Sequence, residues 1–161
     1  MLLVPDKRET VVLPFEAKEV ERQLITFVKP VKNMGAPAID KKPGKYFFNG
    51  YIKRGKFRIS KVIKIPQNFL PLIVGKIEST SLGCIIFIHY RLFNSTILFM
   101  GLWIGICIFM AIVFAFVLGK TGYCILALLF AAINYLVAMK NFSLQLRRSK
   151  EDLDILLKSI K

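Results

Sequence analysis

The residues able to perform acid–base, metal or redox chemistry are few and follow no motif that predicts catalysis. The sequence has one histidine, His89, which lies in a run of alternating apolar residues without a motif-linked serine or cysteine. Its three cysteines, Cys84, Cys107 and Cys124, have neither zinc-site spacing nor the even count of a disulfide framework. We therefore expect no catalytic site, no metal and no cofactor, and we interpret the thiols as small apolar fillers in a reducing compartment.

A cluster of cations is the other chemically marked feature of the chain. Its members are Lys53, Arg54, Lys56, Arg58, Lys61 and Lys64. On alternating strands some of these side chains must share one face. The cytoplasmic leaflet of a cell membrane is negatively charged, and each nearby Lys or Arg contributes about 1 kcal/mol of attraction. We interpret the cluster as a patch for anionic lipid, with a nucleotide ligand or an acidic protein as alternatives.

Nucleic acid is the less favoured partner for the same cluster. Aromatic residues adjoin the cations and could stack on bases while the cations contact phosphates. These residues are Tyr46, Phe47, Phe48 and Tyr51. We expect their rings to fill the small hydrophobic core instead, which leaves charge as the main determinant of binding.

Two apolar segments are expected to hold this patch at a membrane. Residues 97–119 form an uncharged stretch of 23 residues, about 35 Å as a helix, and residues 123–139 form a second of 17 residues, about 26 Å. Helices that pack on a small soluble domain keep a polar face toward water, and neither segment has one. Only residues 120–122 separate them, so the sequence predicts a transmembrane hairpin with a short external turn.

The distribution of cations predicts the orientation of this hairpin. Seventeen Lys and Arg precede the first span, one lies in the connecting turn and six follow the second span. The positive-inside rule then places both termini in the cytoplasm, which predicts a multi-pass protein of the cytoplasmic (inner) membrane. Trp103 and Tyr123 lie near span ends, where aromatic side chains anchor helices at the interface.

Small and polar residues within the spans predict how the helices pack. The residues expected at helix contacts are Gly101, Gly105, Ala111, Ala115, Ala127, Ala131 and Asn134. Packing of the hairpin against itself and oligomerisation through one of its faces both remain open. We expect Asn134 to donate an interhelical hydrogen bond. Neither span has the polar stripe of a pore or the broken helix of a transporter, so a channel or carrier is not expected.

The remaining segments, 1–96 and 140–161, predict a small cytoplasmic α+β domain. Apolar spacing predicts one amphipathic helix from Glu16 to Val28, and β-rich runs predict five or six short antiparallel strands. The triplet Lys53-Arg54-Gly55 is typical of a hairpin turn, with glycine where a positive φ is needed. The expected fold class is therefore membrane α+β, a two-helix transmembrane hairpin that carries a small α+β domain.

The tail after the second span is expected to return to this domain. Alternating apolar and polar residues over 142–147 favour a further strand or a frayed helix end. A start resembling a capping box at Ser149 then predicts a short C-terminal helix. Because an isolated helix of that length is marginally stable, it should dock on the strands.

Short motifs recur in a characteristic order from about residue 46 onward. They are Asn49-Gly50-Tyr51-Ile52, Phe57-Arg58-Ile59, Asn68-Phe69-Leu70-Pro71, Gly75-Lys76-Ile77, Phe99-Met100, Trp103 and Ser149-Lys150. In this order the chain resembles a family of small uncharacterised bacterial membrane proteins with a cytoplasmic β-rich domain and a two-helix hairpin. The resemblance implies location and architecture, and it implies no particular activity.

These features together predict a non-enzymatic integral membrane protein. Its basic domain is expected at the inner leaflet as an interaction or accessory module of a membrane assembly. The alternative is a ligand-responsive membrane effector, whose basic domain binds an anionic ligand and whose hairpins oligomerise to perturb the bilayer. The expected partners are membrane lipids of the anionic inner leaflet and either further copies of the chain or a larger membrane complex.

Overall fold

A computed structural model describes residues 6–31, 34, 46–63, 67 and 69–159, which form one mixed sheet and three helices. The strands are β1 (Asp6–Leu13), β2 (Val28–Pro30), β3 (Phe48–Lys53), β4 (Lys56–Lys61), β5 (Pro71–Thr80) and β6 (Gly83–Leu92). The helices are α1 (Ala17–Phe27), α2 (Asn94–Ile112) with a π-helical continuation (Val113–Val117), and α3 (Thr121–Lys158). The predicted amphipathic helix is confirmed as α1.

The six strands lie in the order β1-β6-β5-β4-β3-β2. Every neighbouring pair is antiparallel except β2 and β3, which run parallel. The expected number of strands is confirmed, whereas the expectation of antiparallel pairing throughout is wrong. Parallel neighbours need a long connection, and residues 31–47 between β2 and β3 provide one.

The turn between β3 and β4 has the conformation that its sequence predicts. Arg54 and Gly55 have φ angles of 53° and 71°, the left-handed pair of a two-residue hairpin. The Gly55 N–H donates to Oε2 of Glu21 on α1 at 3.1 Å. The turn is therefore fixed both by its own backbone chemistry and by the helix beside it.

One face of the sheet, here the covered face, carries the hydrophobic core. Helix α1 contributes Val20 and Leu24 to this core, and α3 contributes a stripe of three buried leucines, Leu153, Leu156 and Leu157. Since side chains alternate along a strand, the covered face receives every second strand residue. Among them Phe57 lies over Gly75, where a Cβ atom would come within 2.1 Å of the ring carbon Cζ.

Helix α3 is a single unbroken helix of 38 residues. Of the two alternatives for 142–147, the strand is therefore wrong, and so is a separate C-terminal helix starting at Ser149. Phe142, Ser149 and Leu153 are all buried at helical spacing, with 2%, 0% and 1% exposure. The 3.6-residue period prevails over the short alternation because the buried stripe continues without a break from the apolar part of the helix into the core.

Helix α2 with its π-helical continuation, and helix α3, are long and apolar enough to cross a membrane. They span 24 and 38 residues, and only 11% and 6% of their most apolar windows are buried. A core helix of a soluble protein is mostly buried, whereas these helices expose large apolar side chains such as Leu98, Phe116, Leu126 and Leu136. They contain residues 97–117 of the first apolar segment that the sequence predicts and all of the second, and α3 continues 19 residues beyond the second segment.

Candidate functional site

The side of the sheet turned away from α1 and α3 carries four of the five exposed cations of the strands, and we call it the open face. The strand register aligns two rows of side chains across it. The first row is Lys53, Lys56, Lys76, Phe87 and Thr10, and the second is Tyr51, Arg58, Val74, His89 and Arg8. The open face therefore presents several cations together with the aromatic rings of Tyr51 and Phe87.

Three lysines of the first row stand directly opposite one another on neighbouring strands. Lys53 pairs with Lys56, and Lys56 pairs with Lys76. Neighbouring strands lie about 4.8 Å apart, and like charges directly opposite each other destabilise a sheet. Lys76 Nζ is balanced by Oε1 of Glu78 at 2.5 Å, whereas both registered neighbours of Lys56 are lysines. The row therefore concentrates positive charge at an energetic cost.

The structure divides the basic cluster that the sequence predicts. Lys53, Arg54 and Lys56 are exposed around the β3–β4 turn. Arg58 is half-buried and its Nη2 donates to the carbonyl oxygen of Met34 at 3.1 Å. Lys61 belongs to the covered face and forms an ion pair with Asp152 of α3. The sixth residue of the cluster, Lys64, lies outside the described residues.

Lys76 joins the cluster although the sequence analysis did not include it. It lies about twenty residues beyond the β3–β4 turn, and only the pairing of β4 with β5 brings it beside Lys56. The signal that could have found it is the alternation within β5, which puts Lys76 and Val74 on one face. That signal has value only once the register between the two strands is known.

The aromatic residues near the cluster do not all enter the core. Phe48 is fully buried, as expected, but Tyr51 is 43% exposed on the open face. Tyr46 and Phe47 are also exposed, so the expectation that these rings fill the core is wrong for all but Phe48. Phe87 of β6 adds a second half-exposed ring to the open face, with 43% exposure.

A shallow groove of about 340 Å³ lies on the open face between β1 and β6. Its lining residues are Arg8, Glu9, Thr10, Phe87, Ile88 and His89. Nε2 of His89 contacts Oδ1 of Asp6, and Nη2 of Arg8 lies 3.8 Å from Oδ2 of the same carboxylate. His89 is thus a strand histidine with a carboxylate partner, as its sequence context suggests.

The lysine row lies at the end of the sheet away from the apolar helices. Phe87, which is level with Lys76, is five residues before Leu92 on β6, and α2 starts at Asn94. Five residues of extended strand correspond to about 17 Å. The row and the start of α2 are thus separated by much of the length of the sheet.

Contacts between α3 and the covered face tie the two apolar helices to the sheet. Nζ of Lys150 donates to Oε1 of Glu9 on β1 at 2.6 Å, and this hydrogen bond raises the pKa of Lys150. Tyr90 donates its hydroxyl to Oε2 of Glu9 at 3.5 Å. Burial, followed by the charges of Glu9 and Asp154, raises the pKa of Tyr90. The ion pair between Lys61 and Asp152 adds a second tie.

The small residues of the two apolar helices fall into two groups. Ala111 is buried, and Ala115, Ala127 and Ala131 are half-buried, as expected for the hairpin interface. Gly101 and Gly105 are exposed, and a Cβ atom at either position would have no neighbour within 4 Å. The alanines therefore pack the hairpin, while the two glycines face outward.

Asn134 does not donate the interhelical hydrogen bond that the sequence predicts. Its Nδ2 donates to the carbonyl oxygen of Phe130 in the same helix at 2.9 Å. The side chain lines a cleft of about 160 Å³ between α2 and α3, whose walls include Trp103, Cys107 and Ala138. The bond within α3 prevails because Phe130 is one helical turn away and its carbonyl is within reach of the amide.

Cysteine and metal chemistry add nothing to the open face. Cys84 and Cys107 are buried, Cys124 is half-buried, and all three are free thiols. Burial raises the pKa of Cys84. Within the described part of the chain no group of three His, Cys, Asp or Glu residues could hold a metal ion.

No family model, curated protein or solved structure matches this chain.

Proposed function

We propose that this protein is a non-enzymatic, membrane-anchored interaction module. In this proposal α2 and α3 form a transmembrane hairpin that holds the basic sheet domain at the cytoplasmic leaflet, as an accessory unit of a membrane assembly. One observation carries the proposal: an exposed apolar hairpin is joined through unbroken α3 to a packed sheet whose open face is cationic.

The apolar surface of the hairpin supports the membrane anchor. Burying one Leu, Ile or Phe side chain is favourable by about 1.5–3 kcal/mol, and both helices expose many of them. Helical backbone satisfies its own hydrogen bonds, which is the requirement for crossing hydrocarbon. Insertion would therefore remove a large apolar area from water at no cost in unpaired backbone groups.

The cations support an orientation with both termini in the cytoplasm. Lys120 is the one ionisable amine in the connecting turn, whereas Lys140, Arg147 and Arg148 follow the apolar part of α3 within a few residues. Cations close to the end of a span weigh most in the positive-inside rule. The side of the membrane that receives the sheet domain would also carry the anionic lipids that attract it.

Membership of the family of small bacterial membrane proteins that the motifs resemble is part of this proposal. Several motif residues have structural roles in the sheet. Asn49 is 2% exposed, and Gly75 accommodates the ring of Phe57. Such residues specify an architecture, so the resemblance supports the anchor and the sheet rather than an activity.

Site-specific cysteine labelling in intact cells tests the anchor and its orientation. Cys107 and Cys124 are replaced by alanine, while buried Cys84 is retained because its raised pKa makes it slow to react. Lys120→Cys probes the connecting turn, and Leu82→Cys probes the 89% exposed β5–β6 turn. A membrane-impermeant maleimide should label Lys120→Cys in intact cells and Leu82→Cys only after lysis.

The background protein without an added cysteine is the control for this labelling. Equal labelling of both positions after lysis shows that each cysteine is reactive. Labelling of Leu82→Cys in intact cells would contradict the orientation. Recovery of the protein from the soluble fraction without detergent would contradict the anchor itself.

A ligand-responsive membrane effector is the second candidate function. Unbroken α3 runs from the connecting turn into the core beneath the sheet, so a ligand on the sheet has a rigid route to the hairpin. Outward-facing Gly101 and Gly105 offer a surface for helix association. Expression should then depolarise cells, and Gly101→Leu should abolish the effect; a wild-type protein that leaves the membrane potential unchanged excludes this candidate.

A further inference from the structure

The lysine row of the open face has an electrostatic cost that a bound anion would remove. Lys53, Lys56 and Lys76 are directly opposite one another on three adjacent strands. Among the described residues only Lys76 has a carboxylate partner, Oε1 of Glu78 at 2.5 Å. Each such pair of like charges opposes the pairing of its strands. A row of negative charges lying across the strands would be attracted to all three side chains.

Two half-exposed rings flank this row on the same face. Tyr51 lies two residues before Lys53 on β3, and Phe87 is directly opposite Lys76 on β6. A plain anion gains nothing from these rings, whereas nucleobases stack on them. Beside Phe87, the groove between β1 and β6 offers hydrogen-bond donors from Arg8 and Thr10.

We propose that the open face binds an extended single strand of nucleic acid. Its phosphates would lie along Lys53, Lys56 and Lys76, and bases would stack on Tyr51 and Phe87. This inference rests on the proposed function, because it names the partner class of the same cytoplasmic face. The sequence makes nucleic acid the less favoured partner because it predicts that the rings fill the core, and the exposure of Tyr51 removes that objection.

Anionic lipid is the competing partner, and the geometry favours it less. The lysine row lies about 17 Å along β6 from Leu92, where the strand ends before α2, away from the segment that would enter the bilayer. A bilayer surface also attracts cations without requiring aromatic rings between them. Cations beside exposed aromatic rings are the pattern of surfaces that bind single strands.

Binding is measured on the full chain in zwitterionic phosphatidylcholine nanodiscs, so that the lipid adds no net charge. The probe is a fluorescein-labelled 12-nucleotide uridine RNA, followed by anisotropy at several salt concentrations. The triple variant Lys53→Gln/Lys56→Gln/Lys76→Gln should bind at least ten-fold more weakly. Its affinity should also depend less on salt, because each lost phosphate contact lowers the slope of log K against log salt by about 0.7.

A charge-matched variant controls for general attraction to a cationic protein. Lys18→Gln/Lys140→Gln/Lys158→Gln removes the same charge from exposed positions on the helices, outside the open face. It should bind the RNA within two-fold of the wild type. An equal loss of affinity in both triple variants would overturn the proposal, since binding would then follow net charge alone.

Leucine substitutions of the rings separate nucleic acid from other polyanions. Phe87→Leu and Tyr51→Leu should each weaken RNA binding five-fold or more, a loss that corresponds to one base stack. Both should leave the binding of inorganic polyphosphate unchanged, because polyphosphate has no bases. Tyr123→Leu in the apolar helices is the control and should bind RNA like the wild type.

Two further outcomes would overturn the proposal while leaving the membrane anchor intact. RNA binding that does not depend on the rings would show a patch for any polyanion. Failure to bind RNA, together with lysine-dependent recruitment of phosphatidylglycerol vesicles, would assign the face to lipid. The cysteine labelling described above reports the anchor independently, so failure of the anchor is distinguishable from failure of this inference.

Discussion

At the scale of single residues, Gly75 shows how closely the core of the sheet is packed. The glycine lies opposite Phe57 on β4, and the ring occupies the volume that a side chain would need. Side chains in a close-packed core cannot move aside freely, so overpacking typically costs 1–3 kcal/mol. The absence of a side chain at position 75 is therefore what allows Phe57 to be 2% exposed.

We expect Gly75→Ala to destabilise the sheet domain by about 1–3 kcal/mol, because its Cβ would overlap the Phe57 ring. Urea unfolding in detergent micelles measures the change, with far-ultraviolet circular dichroism reporting the loss of β-sheet. Gly101→Ala is the matched control, since its Cβ meets open space. Equal stability of Gly75→Ala and the wild type would show that Phe57 is free to move.

At the scale of elements, α3 joins the apolar hairpin to the sheet. Its first part packs against α2, and its last turns enter the core with α1 and the strands. The ties of Lys150 to Glu9 and of Asp152 to Lys61 hold it at two separate strands. Movement of the hairpin would therefore be transmitted to the sheet through a continuous helix.

Breaking α3 between its two parts should uncouple them. Leu144 is 51% exposed in the middle of the helix, so Leu144→Pro removes a backbone hydrogen bond without opening a cavity in the core. We expect a loss of roughly 3 kcal/mol and faster proteolysis of the segment after position 144. Leu144→Ala, which preserves the helix, should be cleaved at the wild-type rate; equal cleavage of the two variants would contradict the coupling.

Alkaline pH should weaken the contact of α3 with β1 and β6. The pKa of Tyr90 is raised by burial and nearby carboxylates, so above about pH 10 the unfolded chain loses a proton that the folded chain retains. Stability is therefore complete below that pH and falls as the pH rises further. The raised pKa of Lys150 acts in the same direction.

Urea unfolding at several pH values between 9 and 11.5 measures this effect. The Tyr90→Phe variant should lose less stability over this range than the wild type, because it lacks the ionising hydroxyl. Tyr51→Phe, at a half-exposed position on the open face, should follow the wild type. An identical pH dependence of Tyr90→Phe and the wild type would refute the role of Tyr90.

At the scale of the whole molecule, charge is segregated by position along the chain. Between Thr96 and Lys140 the one cationic side chain is Lys120, at the turn between the apolar helices. Lys140, Arg147 and Arg148 then follow the apolar part of α3. This asymmetry is the physical basis for the proposed orientation, since cations near a span are retained on the cytoplasmic side.

Removing cations that follow the apolar part of α3 should disturb the orientation of the hairpin in the membrane. We expect Lys140→Gln/Arg147→Gln/Arg148→Gln to lower the fraction of chains in which Lys120→Cys is labelled from outside intact cells. The control is Lys53→Gln/Arg54→Gln/Lys56→Gln. It removes the same charge at positions that are distant in sequence from both apolar helices. Equal labelling of the two triple variants would contradict a dominant role of the cations that flank α3.

Local patterns in the sequence were sufficient to predict the two long apolar helices, the amphipathic α1 and the turn at Arg54 and Gly55. Each of these depends on residues within one or two turns of each other, where periodicity and left-handed backbone preference decide the conformation. The strand count was also predictable, because β-rich runs are bounded by turns.

Only the tertiary structure decided which side chains form the open face. The positions of Lys76 beside Lys56 and of Phe87 beside Lys76 depend on the register of three strands that are distant in sequence. The exposure of Tyr51 and the unbroken path of α3 depend on what covers each face of the sheet. Such pairing and burial are decided by non-local packing, because periodicity within one segment does not specify its neighbours.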